Sequence, residues 1–323
     1  MTSLPAQPPT LPVALGRHAL ALVAQDLQAR GVRRVAVPAY HCLTMTLPFQ
    51  LEGLRIECVP VGPDLMAQPE ALHALVTGDA SVGAPGAQAP DPATWAILHC
   101  EVFGAPPSDP LRAVLEDARA AGATLIVDDT HRWPLPPHVQ SDDLIVSTRK
   151  LLGLPDGGLV SGAVLRPGGP RPAPRGHVDE AVTEAWLAGN TDRAEDLMDQ
   201  QLLPVSMSSQ ALQLADGIDL AGLVVRRRTS VAALHDALVD RGLTPISPRD
   251  GHFCVAFRHP DADRLIVDLA RAGVDGPVWW PRPTGWQGAW PDDVVTLPVG
   301  DADANRELML GLLDRALRAG NMP

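Results

Sequence analysis

Lysine is almost missing from this chain: Lys150 stands alone against 25 arginines in 323 residues. A composition that favours arginine accounts for the arginines but not for the exception. Both side chains carry a surface cation, but only the lysine amine can lose its proton at moderate cost and attack a carbonyl carbon to form a Schiff base. Positive charge is also short overall. Lys plus Arg number 26 against 38 Asp plus Glu, a net charge of −12, which argues against nucleic acid or an anionic membrane as partner. Cysteine is sparse, and Cys42, Cys58, Cys100 and Cys254 include no CxxC pair, so neither a disulfide framework nor a metal site is expected. Aromatic residues make up 4%, with Tyr40 the single tyrosine. No apolar run approaches the roughly 18 residues of a membrane span, and Met1 leads into a Pro-rich segment without a basic start. A cytoplasmic protein with reduced thiols is the expectation.

What is present is an alternation of short β-rich runs with helical patterns. Strands are predicted at Val35 to Val37, Ile56 to Val61, Trp95 to His99, Thr124 to Val127 and Asp143 to Val146. Helices are predicted at Leu15 to Ala29 and Leu111 to Ala121. That rhythm specifies an α/β fold with a mostly parallel sheet and helices on both faces. The segments Gly78 to Pro92 and Arg166 to His177 are too rich in Pro and Gly for regular structure and read as loops. A long helical pattern runs from Ser206 to Arg241. Short strands at Phe253 to Phe257 and Val294 to Leu297, with two further helices, then suggest a smaller α+β lobe. The resulting division is a flexible segment over 1–12, a large domain over 13–205, a connecting helix over 206–242 and a small domain over 243–323.

Ligands of such sheets bind at the carboxyl ends of strands. Two ends here carry unusual polar residues: Asp128-Asp129-Thr130-His131 after one strand, and Ser147 with Lys150 three residues later after another. A lone aspartate there is more often a helix cap. An acid at one strand end and the sole lysine near another is what a pyridoxal phosphate (PLP) site needs, a carboxylate for the pyridine nitrogen and an amine for the aldehyde.

The ordered set Asp128-x-x-His131, Ser147-x-x-Lys150 and Asp156-Gly157-Gly158 resembles the fold type I PLP enzymes (aspartate aminotransferase-like), and within them the DegT/DnrJ/StrS sugar aminotransferases. Gly16-Arg17-His18-Ala19-Leu20 resembles that family's phosphate-cradling helix start. Val37-Pro38-Ala39-Tyr40, Phe103-Gly104, Met207-Ser208-x-Gln210-Ala211 and Thr296-Leu297-Pro298-Val299 resemble further family elements in order. The resemblance implies Lys150 as the catalytic amine and Asp128, in preference to Asp129, at the pyridine nitrogen. It implies His131 at the phenolic oxygen, and Ser147 with Gly16, Arg17 and His18 around the phosphate. His131 also has a purely structural reading, and Ser147 could cap the following turn.

Departures from the family pattern are equally legible. Cys42 stands where an aromatic residue usually stacks on the cofactor, leaving His41 or Tyr40 to take that place or to face substrate. Glu101 replaces a frequent histidine and is a candidate substrate contact, and Pro204 and Ser206 replace an asparagine and an arginine of the family's dimer-related phosphate contact. Trp279, Trp280, Trp286 and Trp290 could line the substrate entrance or form a small-lobe core, and Arg282 could meet a substrate carboxylate. The resemblance implies a homodimeric aminotransferase that moves an amino group from glutamate or glutamine to a keto sugar or similar ketone. The rivals are a PLP enzyme of another reaction type, by elimination, decarboxylation or C–C cleavage, and a silent regulator that kept the fold.

Overall fold

The computed structural model describes residues 9–78, 91–300 and 303–319. The strands are β1 (Leu11–Val13), β2 (Arg34–Pro38), β3 (Arg55–Val59), β4 (Trp95–Cys100), β5 (Thr124–Asp128), β6 (Asp143–Val146), β7 (Gly158–Gly162), β8 (Thr244–Pro245), β9 (Cys254–Arg258) and β10 (Val294–Pro298). The helices of the first half are α1 (Gly16–Ala29), α2 (Leu43–Leu51), α3 (Pro69–Thr77), α4 (Asp109–Ala120) and α5 (Thr148–Leu152). Those of the second are α6 (His177–Leu187), α7 (Thr191–Met198), α8 (Ser209–Asp216), α9 (Leu220–Val239), α10 (Ala262–Arg271) and α11 (Asp303–Ala319).

Among the described residues the strands form a seven-stranded sheet in the order β1-β7-β6-β5-β4-β2-β3 and a three-stranded sheet in the order β10-β9-β8. In the large sheet β3, β2, β4, β5 and β6 run parallel, whereas β7 is antiparallel to both β6 and β1. Both faces are covered, as a parallel sheet requires. Val35, Val37, Leu98 and Ile126 face a core shared with α1 and α2, while Ala36, Ile97, Leu125 and Val127 face a core shared with α3 and α4. Strict alternation assigns each residue to one side. The small sheet is divided likewise. Cys254, Ala256 and Val294 pack into the first core, and Val255, Phe257, Val295 and Leu297 pack under α9, α10 and α11.

Each of the five strands predicted for the large sheet is present, with no end moved by more than two residues and β6 unmoved at both. β1 and β7 escape a periodicity reading because one is three residues long and contains Pro12, and the other begins and ends in glycine. The segment expected to be flexible loses Leu11 and Pro12 to β1, and its residues 1–8 lie outside those described. Most of the loop predicted at Gly78 to Pro92, residues 79–90, also lies outside them. The predicted loop at Arg166 to His177 is irregular up to Gly176, and His177 opens α6. The single connecting helix expected over 206–242 is instead two helices, α8 and α9, broken at Gly217-Ile218-Asp219. The Asp219 side chain accepts from Gly222 N–H at 3.0 Å and caps a new helix.

The register around α1 rests on one glycine. Gly158 pairs with Val13 across β7 and β1, and a Cβ placed on it would lie 2.7 Å from the Leu15 carbonyl carbon and 2.9 Å from the Gly16 nitrogen. Gly311, within α11, faces open space. Gly158→Ala is expected to destabilise the fold by about 1–3 kcal/mol through overpacking against backbone. Gly311→Ala should stabilise it by up to about 1 kcal/mol through helix propensity. Urea midpoints of the two variants should therefore move in opposite directions.

Candidate active site

A cleft of about 570 Å³ opens at the carboxyl ends of the parallel strands. Cys100 ends β4, Asp128 ends β5 with Thr130 and His131 just beyond, and Ile145 and Ser147 come from the end of β6. Gly16 and Arg17 bring the start of α1, Cys42, Thr44 and Met45 the start of α2, Arg149 and Lys150 come from α5, and Trp280 reaches in from the segment before β10.

Thr130 joins two of these strand ends. Its N–H donates to Asp128 Oδ1 at 3.0 Å, and its Oγ1 accepts from Ser147 N–H at 2.9 Å. Burial pushes the Asp128 carboxyl above its ordinary range, opposed by the hydrogen bonds from Thr130 and by the charge of Lys150. A cation at the cleft would further favour the carboxylate. Asp129, its neighbour, points the other way, and both of its oxygens are buried without a hydrogen-bond partner. Burial first and the nearby Glu101 second push its pKa up to about 9. Adjacent residues of one chain therefore hold opposite roles: Asp128 lines the cleft, and Asp129 is kept as a neutral acid behind it.

His131 stacks on Phe253 with ring centroids 4.2 Å apart, and its Nδ1 accepts from Phe103 N–H at 3.0 Å. Phe103 reaches that position with φ 57, and Gly104 follows with φ 78, so the backbone turns back toward the ring. Burial, and then the charge of Lys150, depress the His131 pKa to about 3. A neutral imidazole whose Nδ1 accepts must carry its proton on Nε2, so His131 is a donor with its free edge.

The start of α1 forms the polar end of the cleft. Leu15 at the N-cap offers no side-chain cap. A Cβ on Gly16 would sit 3.0 Å from Ser147 Cβ, so the helix start and the β6 end touch. Ser147 is 7% exposed, and its hydroxyl has no partner among the described residues. A helix N-terminus, a free hydroxyl and nearby cations suit an anion.

Among the other sequence candidates, His18 is fully buried beside α1, bonded to the backbone of Gln201 and Val205, and lies outside the cleft lining. Burial depresses its pKa to about 4. His41 turns inward to the Pro38 carbonyl at 2.8 Å, and burial lowers its pKa. Tyr40 packs behind the cleft against Trp280 and Trp290, at 4.8 and 5.6 Å between centroids. Cys42 does line the cleft. Glu101 is fully buried, accepting from His138 N–H at 2.5 Å and meeting His138 Nδ1 at 2.7 Å, so it braces the loop after β5 instead of facing the cleft. Arg282 is exposed and does not line the cleft. Lys150 lines the cleft from the five-residue α5, and its side chain is exposed. Sequence reasoning missed Thr130, whose bridging role depends on the pairing of β5 with β6. It left Trp280 undecided between cleft and core, and the structure places it in both.

No protein-family model and no curated protein matches the sequence. Solved structures do resemble the fold. An aminotransferase of the DegT DnrJ EryC1 StrS group from Brucella abortus is 15% identical with a TM-score of 0.62, over 95% of this chain and 85% of its own. The sugar aminotransferase CalS13 from Micromonospora echinospora is 19% identical with a TM-score of 0.60, over 95% and 87%. Serine palmitoyltransferase from Sphingomonas wittichii is 16% identical with a TM-score of 0.59, over 97% and 73%. The chain therefore has the type I fold of PLP-dependent transferases.

Asp129 supplies a pH test. An acid whose folded pKa exceeds its unfolded value binds its proton more tightly in the native state, so it lowers stability as pH rises between about 4 and 9. Asp129→Asn should remove that slope. Its urea midpoint should lie closest to wild type near pH 4 and increasingly above it up to pH 8.5; a difference that does not change with pH would show that Asp129 ionises without penalty.

Proposed function

We propose that the chain is a PLP-dependent aminotransferase that moves an amino group from an amino acid, glutamate or glutamine, to a keto sugar or a similar ketone. The observation that carries this reading is the convergence of Asp128, His131, Ser147 and Lys150 on one cleft of the large sheet. The residues fit the cofactor: an unpartnered, nearly buried hydroxyl beside an uncapped helix start for its phosphate, a buried carboxyl in want of a cation for its ring nitrogen, and a fixed donor at His131 for its phenolic oxygen. Bound there, PLP supplies a protonated ring that accepts the electrons released at the amino-bearing carbon of the substrate.

The protein's own part follows from the geometry. Burial disfavours the charged form of Asp128, the Thr130 hydrogen bonds and the Lys150 charge oppose that, and a protonated ring nitrogen placed beside it would favour the carboxylate further, which in turn would keep the proton on that nitrogen. Thr130 fixes that carboxyl and, through Ser147 N–H, the phosphate end of the same cleft. His131 donates from Nε2 and, being neutral, does not compete with Asp128 for charge. Lys150, on the cleft wall, would hold the cofactor through its aldehyde, and its amine would be the base that moves the proton at the amino-bearing carbon of the substrate. Donor keto acid leaves before the ketone binds, so ping-pong kinetics follow.

Support for transamination over other PLP chemistry comes from the aminotransferases among the structural neighbours. The test is the visible absorption spectrum of the protein with PLP, before and after L-glutamate. The expected result is a band that requires Lys150 and gives way to the pyridoxamine phosphate spectrum with release of 2-oxoglutarate. In Asp128→Asn that conversion should slow by about a hundredfold or more. A Lys150-dependent band indifferent to every amino donor would overturn transamination, and no band at all would overturn the cofactor assignment.

A further inference from the structure

Two arginines line the cleft, and α7 together with Asp199, the residue that caps its C-terminus, holds both. Arg149 makes a two-pronged ion pair with Glu195, at 2.8 and 3.2 Å, and Arg17 pairs with Asp199 at 3.0 Å. Glu195 and Asp199 are four residues apart, hence one above the other on the helix. The arginines are largely covered, 20% and 12% exposed, whereas their acids are 56% and 73% exposed. The cations thus belong to the cleft wall and the acids to the surface. Arg17 follows Gly16 at the helix start, and Arg149 stands between Ser147 and Lys150. Both therefore flank the unpartnered Ser147 hydroxyl.

α7 itself is firmly seated. Ala194, Leu197 and Met198 are buried with Ala14 and Leu15, the two residues that lead into α1. The acidic face is thereby fixed beside the anion cradle instead of arriving by chance from a mobile tail. Exposed ion pairs contribute little and exchange easily. A phosphate monoester at the cradle carries up to two negative charges and three acceptor oxygens, and the arginine fork matches it.

We propose that Arg17 and Arg149 are side-chain ligands of a phosphate monoester at the start of α1, and that Asp199 and Glu195 of α7 are built-in competitors whose carboxylates that phosphate displaces. This deepens the reading of the cleft as a cofactor site by naming its charged phosphate ligands and what weakens them. Affinity for phosphate is set by the difference between two states of the same arginines, one closed on α7 and one turned to the ligand. A single substitution on α7 therefore tightens binding without touching the ligand.

The test is isothermal titration calorimetry of the full chain with inorganic phosphate, then with PLP and with pyridoxal, for wild type, Arg17→Gln, Arg149→Gln, Arg149→Lys, Asp199→Asn and Glu195→Gln. Each Gln variant should raise the Kd for inorganic phosphate about tenfold, with Arg149→Lys between it and wild type. Each α7 variant should lower it about threefold. PLP should follow the same order, and pyridoxal, which lacks the phosphate, should not. Circular dichroism melts identify any variant that fails to fold, and the surface variants on α7 remain informative if an arginine variant does so. Wild-type affinity in both arginine variants, or no binding of phosphate by wild type, would overturn the phosphate role; unchanged affinity in both α7 variants would overturn the competition. The outcomes separate from those of the functional reading. A Lys150-dependent PLP band with arginine-independent phosphate binding removes only this inference. Arginine-dependent phosphate binding without any PLP band removes only the cofactor assignment.

Discussion

The close approach of residues 14–16 to the Gly157-Gly158 pair is the constraint on which the rest of the site depends. Gly157 N–H donates to the Ala14 carbonyl at 2.6 Å, and Ala14 N–H donates to Val205, which pins the chain just before α1 from two sides. Side chains at either glycine would prevent this. A Cβ on Gly157, already at φ 151, would fall 2.6 Å from Thr148 Oγ1, and one on Gly158 would strike the Leu15 backbone. With both absent, β7 lies against β1 and the start of α1 is pressed onto Ser147. The short α5, which carries Arg149 and Lys150, is held by the same contact, since Arg149 N–H donates to the Gly157 carbonyl at 3.2 Å. Lys150, Ser147 and the start of α1 share one steric origin.

A second consequence of the sheet is the separation of neighbouring acids. Strand alternation ends at β5, yet it still sends Asp128 into the cleft and Asp129 behind it, where Glu101, Arg132 and His138 gather. Glu101 is spent on His138 and on the loop that follows β5, the loop that also positions His131. The buried acid that resembles a substrate contact in sequence is in fact a brace for the donor histidine's surroundings. The αL backbone at Phe103, whose N–H fixes the tautomer of His131, is the counterpart of that brace on the β4 side.

The parallel core was legible because Val35 to Val37, Thr124 to Val127 and Asp143 to Val146 are continuous apolar runs, as strands buried on both faces must be. The preference for Asp128 over Asp129 rested on the spacing to His131, and the structure brings Asp128 and His131, but not Asp129, to the cleft. What stayed hidden has physical reasons too. β7 derives its place from what its glycines permit, which no periodicity records. The Asp-Gly-Ile-Asp run at 216–219 carried a stop and a cap, but apolar residues continue at helical spacing on both sides and mask the break. α6 and α7 owe their positions to packing against Ala14 and Leu15, contacts more than a hundred and sixty residues away in sequence. His18 shares the motif of Gly16 and Arg17, yet the roughly 100° rotation per residue places it on the inner face of α1, where burial lowers its pKa to about 4.

The charge distribution gives the single lysine its meaning. In a chain of net charge −12, Arg17, Arg149 and Lys150 converge on one cleft together with the positive end of α1. The two arginines can be offset by carboxylates because their forks suit ion pairs and their charge is permanent. Lys150 has neither constraint: no acid is within ion-pairing distance of it among the described residues, and its charge is felt at Asp128, His131 and Cys100. Against a net negative charge, this local gathering of cations favours anions at the cleft. An arginine at position 150 could do no more than add a third fixed charge, so under the proposed role the substitution that this composition would otherwise favour is the one that would abolish attachment of the cofactor.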